Sequence, residues 1–300
     1  MAPYLGARDG ERGGEMMAGT ACGRGKPELK LEVLNVGGPE YTQHHIKARD
    51  EDIARYCFIP GDHIRGRKIA ERLEDVRQVS ATRGMFVHTG YYGGVRMTVC
   101  STGMGGPQVA IAMEELGRMG ADTFIRVGSA GGLQDNIGVG DIAIATATYR
   151  DGGTSYKFLP GPFPAVADFF VTRTLYDVAR ELGARIHIGV VSAGDAFYAP
   201  PNPEFNKMLV DAGVICVEME SDTVFILGHY RRFRCGALFV MDGGPKTKVI
   251  KSAGKVSIPI ANHATDEDFL RGEDMIISIA LEAMKRIALE DQDRSAKAGD

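Results

Sequence analysis

Tryptophan is absent from the 300 residues, which leaves the aromatic surfaces to 13 Phe and 10 Tyr, and cysteine occurs only five times. Cys22, Cys57, Cys100, Cys216 and Cys235 are scattered, odd in number and never spaced as C-x-x-C. That usage argues against a disulfide scaffold or a structural zinc site and for reduced thiols in a cytosol. Histidine spacing offers no metal centre, and no Ser-His-Asp or Cys-His arrangement is readable. A large charge of one sign is also missing. The 35 Lys+Arg and 39 Asp+Glu leave a formal charge of −4, whereas a dedicated nucleic-acid binder carries a basic excess. No apolar run approaches the ~18–20 residues of a membrane-spanning helix. Arg8, Asp9, Glu11, Arg12 and Glu15 break up any signal-peptide core. Internal repeats of roughly 20–50 residues are not visible.

What is present is globular: 44% hydrophobic, 25% charged, with 39 Gly. Residues 1–28 are glycine- and charge-rich without periodicity, and read as a flexible extension. Strand and helix patterns then alternate. Strands are predicted near 55–60, 123–127, 141–148, 186–191, 214–217 and 237–241, with a hairpin at 85–92 and 95–101 around Gly93-Gly94. Helices are predicted over 63–73, 107–119, 165–182, 221–229 and 266–289, a long loop over 243–263, and a polar tail over 291–300. The class is α/β, one domain over 29–290 with a mixed central sheet flanked by helices.

Four segments fall where strands end, the place where open α/β sheets hold ligands. In Pro60-Gly61-Asp62-His63-Ile64-Arg65, glycine permits close backbone approach, the helix start offers N–H groups to an anion, and Arg65 offers a charged fork. Taken alone, the segment is better read as a loop that caps a helix, with a surface arginine. In Arg126-Val127-Gly128-Ser129-Ala130-Gly131-Gly132, an arginine inside an apolar strand demands an anion or a carboxylate. Ser129 can donate to a phosphate oxygen, though an internal salt bridge beside a glycine-rich turn would also account for the pattern. Neither this segment nor Gly103-Met104-Gly105-Gly106 is G-x-G-x-x-G, so a dinucleotide site is weakly supported. In Val217-Glu218-Met219-Glu220-Ser221, paired carboxylates suit polyol hydroxyls, or serve as helix N-terminal acids. Finally, Asp242 in Val240-Met241-Asp242-Gly243-Gly244-Pro245 fits a general acid under a movable loop, or an ordinary Asp-Gly turn. His44 and His45, and the Phe197-Tyr198 pair, are weaker candidates for a hydroxyl contact and a stacking wall.

Together these motifs resemble the nucleoside phosphorylase family, in the branch of uridine phosphorylases and bacterial-type purine nucleoside phosphorylases. HIKA (45–48), PGDHIR (60–65), RGM–TG (83–90), STGMGGP (101–107), EEL (114–116), IRVGSAGG (125–132), FPAVADF (163–169), DAFY (195–198) and VEMES (217–221) occur in family order. The resemblance implies a three-layer α/β/α fold and no cofactor, with inorganic phosphate as co-substrate. It assigns phosphate binding to Gly61, Arg65, Arg83, Arg126 and Ser129, with Arg83 reaching a neighbouring subunit's site. His45, crossing the same interface toward the ribose 5′-hydroxyl, joins Gly131, Phe197, Glu218, Met219 and Glu220 as nucleoside contacts. Asp242, Glu220 and Arg126 are the implied catalytic residues, and a dimer within a hexamer the implied assembly. Uridine phosphorylases carry a Gln and an Arg two residues apart after the aromatic, where this chain has Ala199-Pro200-Pro201-Asn202-Pro203. Proline has no side-chain donor, and MDGGP resembles the form in which an Asp protonates a purine. The sequence therefore favours a purine nucleoside, with uridine phosphorylase as the alternative and a hydrolytic nucleosidase or a non-catalytic nucleoside binder further off.

Overall fold

A computed structural model describes residues 42–245, 250–252, 255–257, 261, 263 and 265–298. The expected N-terminal extension, the domain start at 29 and Cys22 lie outside them. In chain order the described elements are β1 (Tyr56–Phe58), α1 (His63–Ala70), β2 (Glu74–Thr82), β3 (Met85–Tyr92), β4 (Val95–Ser101), α2 (Gly106–Arg118), β5 (Thr123–Gly132), β6 (Ile142–Asp151) and β7 (Ala165–Val166). They continue with α3 (Phe169–Glu181), β8 (Ile186–Gly194), α4 (Pro203–Asp211), β9 (Cys216–Glu218), α5 (Ser221–Arg231), β10 (Arg234–Gly243), β11 (Ile250–Ser252), β12 (Lys255–Ser257) and α6 (Glu267–Ala298).

One mixed sheet carries ten strands in the order β10-β6-β8-β9-β5-β1-β4-β3-β2, with β7 on β6. Strand β10 also pairs in parallel with β5 from Arg234↔Thr123 onward, so β5, β9, β8, β6 and β10 close on themselves. Helices cover both faces, as expected. On one side α2 and α5 bury Val109, Met113, Leu116, Val224 and Leu227 against Phe124, Ala130 and Phe239. On the other, α1, α3 and α6 bury Ile69, Val171, Leu175, Ile276, Ile279, Ala280 and Met284 against Phe58, Ile125 and Val127. Even-numbered positions of β5 from Phe124 to Ala130 thus face α2 and α5, and odd-numbered ones the opposite helices, the two-residue alternation of a strand. Cys57, Cys100, Cys216 and Cys235 are buried free thiols. Among the described residues, no helix is long and apolar enough to cross a membrane.

Several boundaries move, each for a local reason. The expected helix 165–182 starts at Phe169, because Asp168 caps it by accepting from Val171 N; Ala165–Val166 is an edge strand on β6. Phe169 lies on its outer side, 67% exposed. The run of small residues after Arg126 does not leave the sheet: β5 continues to Gly132 because β10 and β9 supply backbone partners there. The expected loop 243–263 contains the antiparallel pair β11–β12. Residues of the expected polar tail continue α6 to Ala298, where Arg294 pairs with Glu290 one turn back. Strand β2 and helix α4 had no sequence-level prediction.

Candidate active site

The site is built where β1, β5 and β9 end. After β1 the chain turns at Pro60-Gly61, and its carbonyls are held by the loop after β4: Thr102 N donates to Pro60 O at 2.9 Å and Gly103 N to Gly61 O at 3.0 Å. A Cβ on Gly61 would lie 3.1 Å from the Gly103 carbonyl oxygen and 3.7 Å from Arg126 Nη1. Glycine at 61 therefore lets the two loops pack this closely, with the guanidinium alongside. Asp62 caps α1 by accepting from Ile64 N and Arg65 N. A carboxylate of the chain itself thus occupies the Ile64 and Arg65 N–H groups at this helix start.

Arg126 is the centre of the cluster. Its side chain is 5% exposed, with Nε donating to Glu218 Oε2 at 2.9 Å and Nη2 to Glu220 Oε2. The internal salt bridge is thus real, yet it does not use the whole guanidinium: Nη1 is buried without a hydrogen-bond partner. Burial opposes charge on this group, but Glu220 and Glu218 outweigh it and hold its pKa above the ordinary value.

The two glutamates divide the work. Glu218 accepts from Arg126 Nε, Glu220 N, Ser221 N (2.8 Å) and Ser221 Oγ (2.6 Å), so both oxygens are engaged within the protein. Glu220 accepts from Arg126 and, through Oε1, from Gly105 N at 2.5 Å. Gly105 has φ +95°, a backbone that L side chains rarely adopt, and this turn aims its N–H at Glu220. Burial raises the Glu220 pKa; the nearby Glu218 adds to the rise and Arg126 opposes it. Met219 stands between them, half-buried, and Gly131 pairs with Val217 on the adjoining strand.

Arg65 reaches the same region from the opposite face of β5. It is 2% exposed, donates from Nε to Glu273 Oε1 at 2.8 Å, and turns Nη1 to the Val127 carbonyl at 3.4 Å, next to Arg126 in the chain. Ser129 is half-buried on β5 opposite Val240. Asp242 occupies an irregularity of the β10–β5 pairing between Met241 and Gly243, a bulge of the kind that re-aims a side chain. Its carboxylate lies 3.4 Å from His263 Nε2, and the His263 ring stacks on Phe269 at 4.0 Å.

Three expected site residues are not gathered there. Arg83 sits exposed with φ +52° at the tip of the β2–β3 hairpin, beside Gly84 with φ +79°. His45 is held to α2: its N donates to Glu115, its Nδ1 lies 2.6 Å from Glu115 Oε1, and Ile46 N donates to Glu115 Oε2 at 2.8 Å. Phe197 (63% exposed) and Tyr198 (93%) project from the turn after β8 as an edge-to-face pair, not as core. Glu115, Glu273 and His263 escaped the sequence reading. Only Glu115 left a trace, in the EEL segment. Among the described residues, no three His, Cys, Asp or Glu are placed to hold a metal ion.

Residues 55–264 match the phosphorylase superfamily profile. The chain belongs to the nucleoside phosphorylase family. It is 39% identical over 267 residues to the uridine phosphorylase of Thermococcus kodakarensis, covering 85% of this chain and 90% of that one. Against the uridine phosphorylase of Treponema pallidum identity is 36% over 262 residues, 84% and 96% of the two chains. The guanosine phosphorylase of Halorubrum lacusprofundi is 36% identical over 201 residues, 67% of this chain and 83% of that one. Among solved structures, uridine phosphorylase from Vibrio fischeri superposes with a TM-score of 0.74 at 27% identity, covering 82% of this chain and 97% of that one. The phosphorylase family places this chain among the pentosyltransferases that act on nucleosides.

Proposed function

We propose that this phosphorylase cleaves a ribonucleoside with inorganic phosphate, giving the free base and ribose 1-phosphate. The observation that carries the reading is Arg126 Nη1, a buried guanidinium N–H without an acceptor beside a glycine that leaves space. Leaving such a donor unpaired costs roughly 1–3 kcal/mol or more; a phosphate oxygen would satisfy it. Arg65 adds a second cation on the other side of β5. A phosphate oxygen attacks C1′ as the C1′–N bond breaks, and the bonding pair leaves with the base, which takes up a proton. Positive charge building on the ribose is balanced by the phosphate dianion held in place. Glu220, tied down by Arg126 and Gly105, is the carboxylate for the 2′- and 3′-hydroxyls; Glu218 holds Arg126 and the first turn of α5. Arg83 and His45, displayed on the exposed hairpin tip and beside α2, serve the site of a neighbouring subunit in this reading.

For the base, the names of the relatives support uridine over the purine that the sequence favoured. A purine remains the second reading because Asp242, at its bulge, offers an acid at the end of β10, and one relative is a guanosine phosphorylase. General-acid help of this kind contributes ~10²–10⁴-fold. The test is base release from uridine, guanosine and inosine with and without phosphate. Release that requires phosphate, with uridine preferred more than ~10-fold in kcat/KM, is the expected result. Release indifferent to phosphate refutes phosphorolysis. A preference for guanosine or inosine that collapses in Asp242→Asn establishes the purine reading instead.

A further inference from the structure

Glu273 is a buried carboxylate that the reaction as described does not use. It projects from the second turn of α6, its side chain 5% exposed, and its two oxygens engage two cations on α1. Oε1 accepts from Arg65 Nε at 2.8 Å and Oε2 from Lys68 Nζ at 2.5 Å. Arg65 and Lys68 are three residues apart, so they share a face of α1. Burying an ion pair is a poor route to stability, because desolvation offsets the attraction and apolar replacements serve as well or better. Geometry offers a better account of this one. Arg65 carries its donors on three nitrogens in a rigid plane. With Nε committed to Glu273 and Nη1 to the Val127 carbonyl, the direction of Nη2 is set as well. Lys68 supplies a second positive charge to the group, so the Arg65–Glu273–Lys68 triad keeps a net charge of +1 and Glu273 does not cancel the attraction of Arg65 for an anion.

We infer that Glu273 is a positioning residue for phosphate: it aims the Arg65 guanidinium from behind, and Lys68 keeps that arrangement electropositive. The inference rests on the phosphorolysis reading for its consequence in turnover, but not for its consequence in phosphate binding. It also ties the C-terminal helix to a site formed by loops near the N-terminal half.

The test uses the full chain and the variants Glu273→Gln, which keeps size and one acceptor, and Lys68→Met. Inorganic phosphate binding is measured by calorimetry without nucleoside, and KM for phosphate and for nucleoside separately. Glu273→Gln is expected to weaken phosphate binding and raise its KM about tenfold while the nucleoside KM stays within twofold; Lys68→Met is expected to give a smaller change of the same kind. A folded Glu273→Gln protein that binds phosphate as the wild type does overturns the inference, as does an equal rise in both KM values. Weakened phosphate binding in a protein that cleaves no nucleoside would uphold Glu273 and refute the phosphorolysis reading. A wild type that binds no phosphate would refute both.

Discussion

Asp222 is the carboxylate most at odds with its surroundings, and replacing it by asparagine should stabilise the protein in a pH-dependent way. It is 1% exposed at the start of α5. Oδ1 accepts from Thr223 N at 2.5 Å and from Thr223 Oγ1 at 3.2 Å, while Oδ2 is buried without a partner. Burial pushes its pKa from 3.8 up to about 6; the hydroxyl of Ser155 opposes the rise and the Glu218 charge adds to it. A folded-state pKa above the unfolded one means that the native state holds the proton more tightly. The stabilisation is complete below pH 3.8 and is lost as pH rises through about 6. At ~1.4 kcal/mol per tenfold change in acidity, the ionised group costs the native state on the order of 3 kcal/mol at neutral pH. Asparagine cannot titrate. Because neutral Asp and Asn both bring a donor to the site, local packing costs largely cancel when the variant is compared with wild type across pH. The difference in stability, variant minus wild type, should rise by about 2–3 kcal/mol between pH 4 and 7.5, or roughly 5 °C in Tm for a chain of this size. Thermal melts of both proteins across that range give the answer. A difference flat with pH would show that Asp222 is not held neutral by burial.

Two further outcomes follow from other contacts. Glu218→Ala strands Arg126 Nε and the Glu220 and Ser221 N–H groups and leaves the Ser221 hydroxyl with Thr148 alone; a loss of about 3–5 kcal/mol in denaturant unfolding is expected, and a loss under ~1 kcal/mol would remove Glu218 from its place as the anchor. With Nδ1 of His45 held against Glu115, Nε2 is the ring nitrogen left for the ribose 5′-hydroxyl in the proposed reading. The preference for a nucleoside over its 5′-deoxy analogue should therefore fall at least ~5-fold in Glu115→Gln, and an unchanged preference would detach His45 from the 5′-hydroxyl.

Local signals in the chain settled the helix-and-strand alternation, the Gly93-Gly94 hairpin and the suspicion attached to Arg126, Glu218 and Glu220. These depend on side-chain spacing and on the cost of charge in an apolar strand, and both are written in order along the chain. Only the tertiary structure decided how the charges pair. Glu273 is 208 residues from Arg65 and Glu115 is 70 from His45, and no local pattern carries a partner at that distance. The same limit explains why Glu218 and Glu220 look alike in sequence but differ in the fold. One lies where two backbone N–H groups, a hydroxyl and Arg126 converge, while the other links Arg126 to the Gly105 N–H of a distant loop. Strand lengths were hidden for a related reason: β5 runs on through its glycines because β9 and β10 lend it hydrogen-bond partners, a supply that exists only once the chain has folded.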